Sequence, residues 1–153
     1  MAEDGIKVIA RNRKARHDYE IIDTLEAGLV LMGSEIKSIR ASHINLSEGF
    51  VQFRDGEMWL HNVHINPYEQ ANRFGHEPLR PRKLLLHKRE IARWASLVQE
   101  KRLAIVPLQV HLRRGRAKLE IALARGKKKY DKRETLRKED AQRQIERALK
   151  DYS

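Results

Sequence analysis

Thirty-two lysines and arginines, 21 aspartates and glutamates and 7 histidines are the groups with which this 153-residue chain could do chemistry, and cysteine is absent. Without a thiol there is no disulfide, no thiolate metal site and no cysteine nucleophile. His61 and His64 stand three apart in a segment of strand character, which turns them to opposite faces, and no His-x-x-x-His pair supports them. Gly126-Lys127 has the outline of a phosphate loop. Yet Lys128 occupies the place of its Ser or Thr, and Ile121 that of its first glycine. Neither serine nor glutamate shows the partners of nucleophilic or glycosidic catalysis. The expectation is a binding protein with no catalytic residue, no metal and no cofactor, and not an enzyme.

The chemistry that remains is electrostatic. A formal charge of +11 and a pI near 10.1 draw in a polyanion and hold it partly by counterion release. The cations cluster in four places: Arg11 to His17 (with Asn12, Arg13 and Arg16), Arg80 to Lys83, Arg113 to Arg116, and Arg125 to Lys129. One such run is ordinarily a solvated surface, but four favour nucleic acid. Tyr130, directly after three lysines, has a π-face that could stack on a base for ~1–3 kcal/mol; the plainer reading is a helix-terminal tyrosine with nothing to stack on. Glu26, beside Gly28, could accept from base amino groups, or could simply pair with a nearby Arg or Lys. No apolar run approaches the ~20 residues that span a bilayer, and Met1 to Arg11 lacks a signal peptide's apolar stretch. A cytoplasmic protein with no membrane partner is expected.

The elements that must carry these groups are mostly short and β-rich. Residues 1–17 read as a basic N-terminal arm with too few apolar positions for a core element. Tyr19 to Leu31 read as a strand bent at Gly28 or as two short ones. Ser34 is placed to cap a short helix whose Ile36 and Ile39 face inward and whose Lys37 and Arg40 face out. Phe50–Phe53, Asp55-Gly56 and Met58–Leu60 form the clearest hairpin. Residues 66–82, with three prolines, read as a loop, and His87 to Lys101 as a helix with Ile91, Trp94, Ala95 and Val98 inward. A strand from Leu103 to Leu112 changes phase at Pro107, which predicts an edge or a bulge there. Its hairpin partner sets Leu119, Ile121 and Leu123 on one face and Lys118, Glu120 and Ala122 on the other. The pattern predicts a mainly β body at 18–125, with an OB-type antiparallel barrel as the economical choice. Residues 126–153 read as a basic tail. Asp131 and Glu134 there have capping-box spacing, and the apolar stripe is too thin for a helix except when bound.

Several blocks, in order, resemble the SsrA-binding protein (SmpB) family. They are Asn12 to Tyr19, Glu26-Ala27-Gly28-Leu29, Gly33 to Arg40, His64 to Tyr68, Arg82 to Leu86, Val106-Pro107-Leu108, Gly115 to Lys118, and Ala124 to Arg133. The resemblance implies an OB-type barrel that binds the tRNA-like domain of transfer-messenger RNA and delivers that RNA to stalled ribosomes in trans-translation. It implies RNA contacts at Glu26, Leu85 and Lys118, with the basic block Asn12, Arg13, Arg16 and His17 on the same RNA. Lys127, Lys128, Tyr130, Asp131, Lys132 and Arg133 would belong to a tail that enters the empty decoding centre and mRNA channel, against 16S rRNA of the small subunit. Elongation factor Tu and alanyl-tRNA synthetase would be partners indirectly, through the RNA. A general basic RNA-binding or ribosome-associated barrel protein is the alternative. Arg102 stands where the family often has glycine, so the turn there is expected to differ slightly.

Overall fold

The computed structural model describes residues 5–67 and 76–126. In chain order these form β1 (Ile6–Arg11), α1 (Arg13–Asp18), β2 (Tyr19–Leu29), α2 (Gly33–Arg40), β3 (Ile44–Asn45), β4 (Phe50–Arg54), β5 (Glu57–His61), β6 (His64–Ile65), β7 (Arg82–Leu85), α3 (Lys88–Lys101), β8 (Ala104–Arg113) and β9 (Arg116–Gly126). Seven strands make one antiparallel sheet in the order β1-β8-β9-β2-β7-β5-β4, and β3 pairs with β6 apart from it. The sheet curls in the OB manner without closing. β4 packs beside β8, but no ladder joins them among the described residues. No described helix is long and apolar enough to cross a membrane.

Several expectations appear directly in the structure. The β4–β5 hairpin turns on Asp55 and Gly56, both at positive φ (51° and 77°), the geometry of a primed turn. In α3, Ile91 and Trp94 are buried in the main core with Met58, Leu60, Leu84, Leu119 and Ile121. Residues 102 and 103 bring the chain from α3 into β8, and Arg102 ends the helix at φ 52°, ψ 51°, the left-handed conformation that glycine usually supplies. The arginine therefore accepts the glycine's backbone geometry. The register of β8 on β9 shifts between Pro107 and Gln109, so the phase change is a bulge. It is not at a sheet edge, because β8 lies between β1 and β9.

Other segments differ from the sequence reading. The expected arm contains β1, which pairs with β8 from Ile6↔Arg113 to Arg11↔Gln109, and α1, which covers the sheet's outer face. There Ala15 meets Val106, Leu108, Ala122 and Ala124 in a second small core. Alternation assigned Ala122 correctly to the polar face of β9, but small side chains on that face let a helix settle over it. Ser34 does not cap α2. The helix starts after Met32, whose N–H is accepted by Glu35 at 2.7 Å, and Ser34 lies inside it with its hydroxyl 2.8 Å from Nδ1 of buried His76. Arg82, counted above in a cationic cluster, is fully buried against Glu35, with Nε 2.6 Å from Oε2. Strand β9 runs to Gly126, and the expected tail helix lies outside the described residues.

Asn12 closes the open side of the curl. Its Nδ2 donates to Leu46 O at 3.1 Å and to Pro107 O at 2.8 Å, and its Oδ1 accepts the Ala15 N–H at 3.0 Å, capping α1. One amide thus bridges the approach to β4, strand β8 and the helix. Asn12→Ala is expected to lower stability by ~2–4 kcal/mol, since two buried carbonyls lose a donor and the helix loses its cap. Urea unfolding with an unchanged m-value measures this, and Arg13→Ala, one exposed residue on, should shift stability by less than ~0.5 kcal/mol.

Candidate nucleic-acid interface

The register of β2 gathers the predicted contacts. Gly28 pairs with Lys118 of β9 on one side and with Leu85 of β7 on the other, which sets all three in a row on one face. Glu26, two residues back, shares that face. A side chain at position 28 would fill the row: a Cβ there would lie 3.2 Å from Leu85 Cβ. The glycine keeps a notch between the exposed Leu85 and Lys118, part of a groove of about 250 Å³ lined also by Leu31, Ile36, Arg116 and Ala117. Beyond Lys118, the β8–β9 hairpin adds Arg113, Arg114 and Arg116, which line one open depression with it.

Glu26 directly faces Glu120 across the β2–β9 ladder. Two carboxylates so placed repel, and each has drawn its own cation or donor. Glu26 Oε2 accepts from Arg113 at 2.8 Å and lies 2.8 Å from His111 Nε2, while Glu120 Oε1 is 3.5 Å from an Arg16 nitrogen. Burial alone would raise the Glu26 carboxyl. The bonds from Arg113 and His111 outweigh it and hold the group below the ordinary carboxylate range. Glu26 is therefore ionised at neutral pH, with a third of its side chain open to solvent. Of the two readings of Glu26, the salt bridge is present, and it leaves the carboxylate on the surface.

Arg16 carries this polar track from the β2–β9 face onto α1. Arg13 and His17 are exposed on the same helix, His17 with Nδ1 3.2 Å from Asp18 Oδ1. Asn12 is only 2% exposed, and its amide is spent on the seam described above. The structure therefore separates it from the surface on which the basic block was expected. Lys127, Lys128, Tyr130, Asp131, Lys132 and Arg133 lie outside the described residues. The sequence reading missed His111 and Gln109. Their signal was present, because past the phase change at Pro107 the apolar Val110 and Leu112 turn Gln109, His111 and Arg113 to the opposite face. Among the described residues no cluster of His, Asp and Glu has the form of a metal site. The arrangement suits a large anion with base edges: a cationic hairpin, an apolar notch and one anchored carboxylate.

Comparison with known proteins bears on this face. A family model described as SmpB protein matches residues 9–151. The chain is similar to the SsrA-binding protein of Enterococcus hirae, 61% identical over 150 residues, which is 98% of this chain and 97% of the relative. The SsrA-binding protein of Desulforudis audaxviator is 55% identical over 150 residues, 98% of each chain. A chain in the solved structure described as "tmRNA-SmpB: a journey to the center of the bacterial ribosome" matches with a TM-score of 0.65 and 48% identity, over 77% of this chain and 83% of that one.

Proposed function

The chain belongs to the SmpB family, and from that premise we propose that it is an RNA-binding protein of trans-translation. It binds transfer-messenger RNA and accompanies it to the ribosome. The face that meets the tRNA-like domain is the row Leu85, Gly28, Lys118 with Glu26 beside it, extended by the β8–β9 hairpin and by Arg16 on α1. Residues 127–153 serve the ribosomal end, with Lys127 to Arg133 in the vacant decoding centre and mRNA channel. Binding accounts for the whole of this activity, with no bond made or broken by the protein, in the cytoplasm where ribosomes work.

The observation that carries this reading is the register at Gly28, which turns residues from three distant stretches of sequence into one contiguous surface. Phosphate contacts there supply affinity, and Glu26 with the apolar notch supplies choice. Sequencing the RNA that copurifies with the protein from its own cells tests the proposal: transfer-messenger RNA is expected to dominate. A mixture of RNAs in proportion to their abundance would instead favour a general basic RNA-binder. Lys118→Ala is expected to weaken binding to the tRNA-like domain and to lower the slope of log K on log salt by ~1, as loss of one phosphate contact does.

A further inference from the structure

Glu26 is held by a side chain that bound RNA cannot reach. His111, on β8 across from Lys118, is 3% exposed, with Nε2 2.8 Å from Glu26 Oε2 and Nδ1 3.3 Å from Gln109 Nε2. A ring nitrogen that faces a carboxylate carries the proton, and one that faces an amide nitrogen does not. Nε2 therefore donates to the carboxylate, and both ring nitrogens are engaged. Arg113 donates to the same Oε2. Both bonds fall on one carboxylate oxygen, and the described residues give Oε1 no hydrogen-bond partner.

We propose that His111 is the positioning residue of this interface: it fixes Glu26 so that Oε1 alone is presented, to one N–H donor on a base edge of the bound RNA. This rests on Glu26 being an RNA contact. Phosphate is excluded as the group that meets Oε1, because two anions repel, whereas the amino groups of cytosine, adenine and guanine are neutral donors. Arg113 cannot do the positioning alone. It is about one-third exposed on a long stem and can turn to a phosphate when RNA arrives. His111 has no such alternative, since it is buried with its second nitrogen occupied. A clamped carboxylate offers one acceptor in one direction, and a mobile one would accept many donors equally.

The test measures affinity of the full chain for the tRNA-like domain and for an unrelated hairpin of equal length. The variants are Glu26→Ala, His111→Phe, His111→Gln and the double variant Glu26→Ala with His111→Phe. His111→Phe is expected to weaken cognate binding about ten-fold, as loss of one charge-assisted contact does, and to leave hairpin binding unaltered. In the Glu26→Ala background it should add nothing, and His111→Gln, which keeps a donor, should bind within about two-fold of the parent. Unchanged cognate affinity in Glu26→Ala would remove Glu26 from the interface. A loss in Glu26→Ala with none in folded His111→Phe, or with the two losses additive, would overturn the positioning role alone. Imidazole nitrogen shifts in the unsubstituted protein give a readout that does not depend on how the variants fold. A proton on Nδ1 instead of Nε2 at neutral pH would overturn it as well.

Discussion

Removal of residues 130–153 is expected to leave affinity for the tRNA-like domain within a few-fold of the full chain while peptide tagging on stalled ribosomes disappears. Every residue placed on the RNA face lies between Arg16 and Lys118, so the deletion touches none of them. The deleted segment also contributes little attraction, since it holds seven Lys or Arg against six Asp or Glu. Counterion release depends on cations brought to phosphate, and a nearly neutral segment supplies few that its own acids do not offset. An electrostatic clamp would lose RNA affinity and tagging together. A segment with its own site on the ribosome would lose only the second. Filter binding and a tagging assay on a message lacking a stop codon separate these outcomes.

Glu35→Ala is expected to cost ~3–5 kcal/mol, a large part of a small domain's stability. Glu35 is fully buried and accepts from the Met32 N–H, from Arg82 Nε at 2.6 Å and from Arg80. Arg82 is equally buried and also donates to Val63 O at 2.6 Å and Pro78 O at 3.1 Å. Removing the carboxylate strands a guanidinium in the core. Replacing both partners, Glu35→Leu with Arg82→Met, should recover part of the loss, because no buried charge is then left unpaired. Burial raises the Glu35 carboxyl, but the bonds from Arg80, Met32 and Arg82 prevail and bring it below the ordinary range. A carboxyl depressed in the folded state binds its proton more readily when unfolded. Its contribution is complete above the unfolded value and fades as pH falls through the folded one. Urea midpoints should therefore drop more steeply on acidification in the parent than in Glu35→Gln. The pair joins α2 to β7, so its loss also loosens the strand that carries Leu85.

How far the sequence revealed this molecule depended on the range of the interactions involved. The Asp55-Gly56 turn, α3 and the bulge at Pro107 are set by neighbours in the chain, and all were legible. β1 and α1 were not. Ile6, Val8, Ile9 and Ala10 do not alternate, and they form a strand because β8 offers a free ladder edge. α1 is six residues long, too short to stand alone, and is held by an asparagine bonded to Leu46 and Pro107. Arg82 looked like surface charge because a sequence does not show that Glu35 will meet it across the core. Among the site residues, Glu26, Leu85 and Lys118 came through family resemblance. Only the register at Gly28 explains why they act together, and only the burial of His111 separates a support from a contact.

The pairing of β1 with β8 and of β2 with β9 also governs the order in which a nascent chain can fold. The first two strands leave the ribosome long before their main partners exist: β1, and all of β2 but the end that meets β7, must wait unpaired until Ala104 to Gly126 have been made. A chain that stops short of the β8–β9 hairpin lacks the ladder for β1 and most of that for β2, the sheet face on which α1 settles, and Lys118 itself. Such a fragment is expected to be open to proteolysis and to lack the complete RNA face. Synthesis of this protein is therefore all-or-nothing: an interrupted copy cannot compete with the finished one for its RNA.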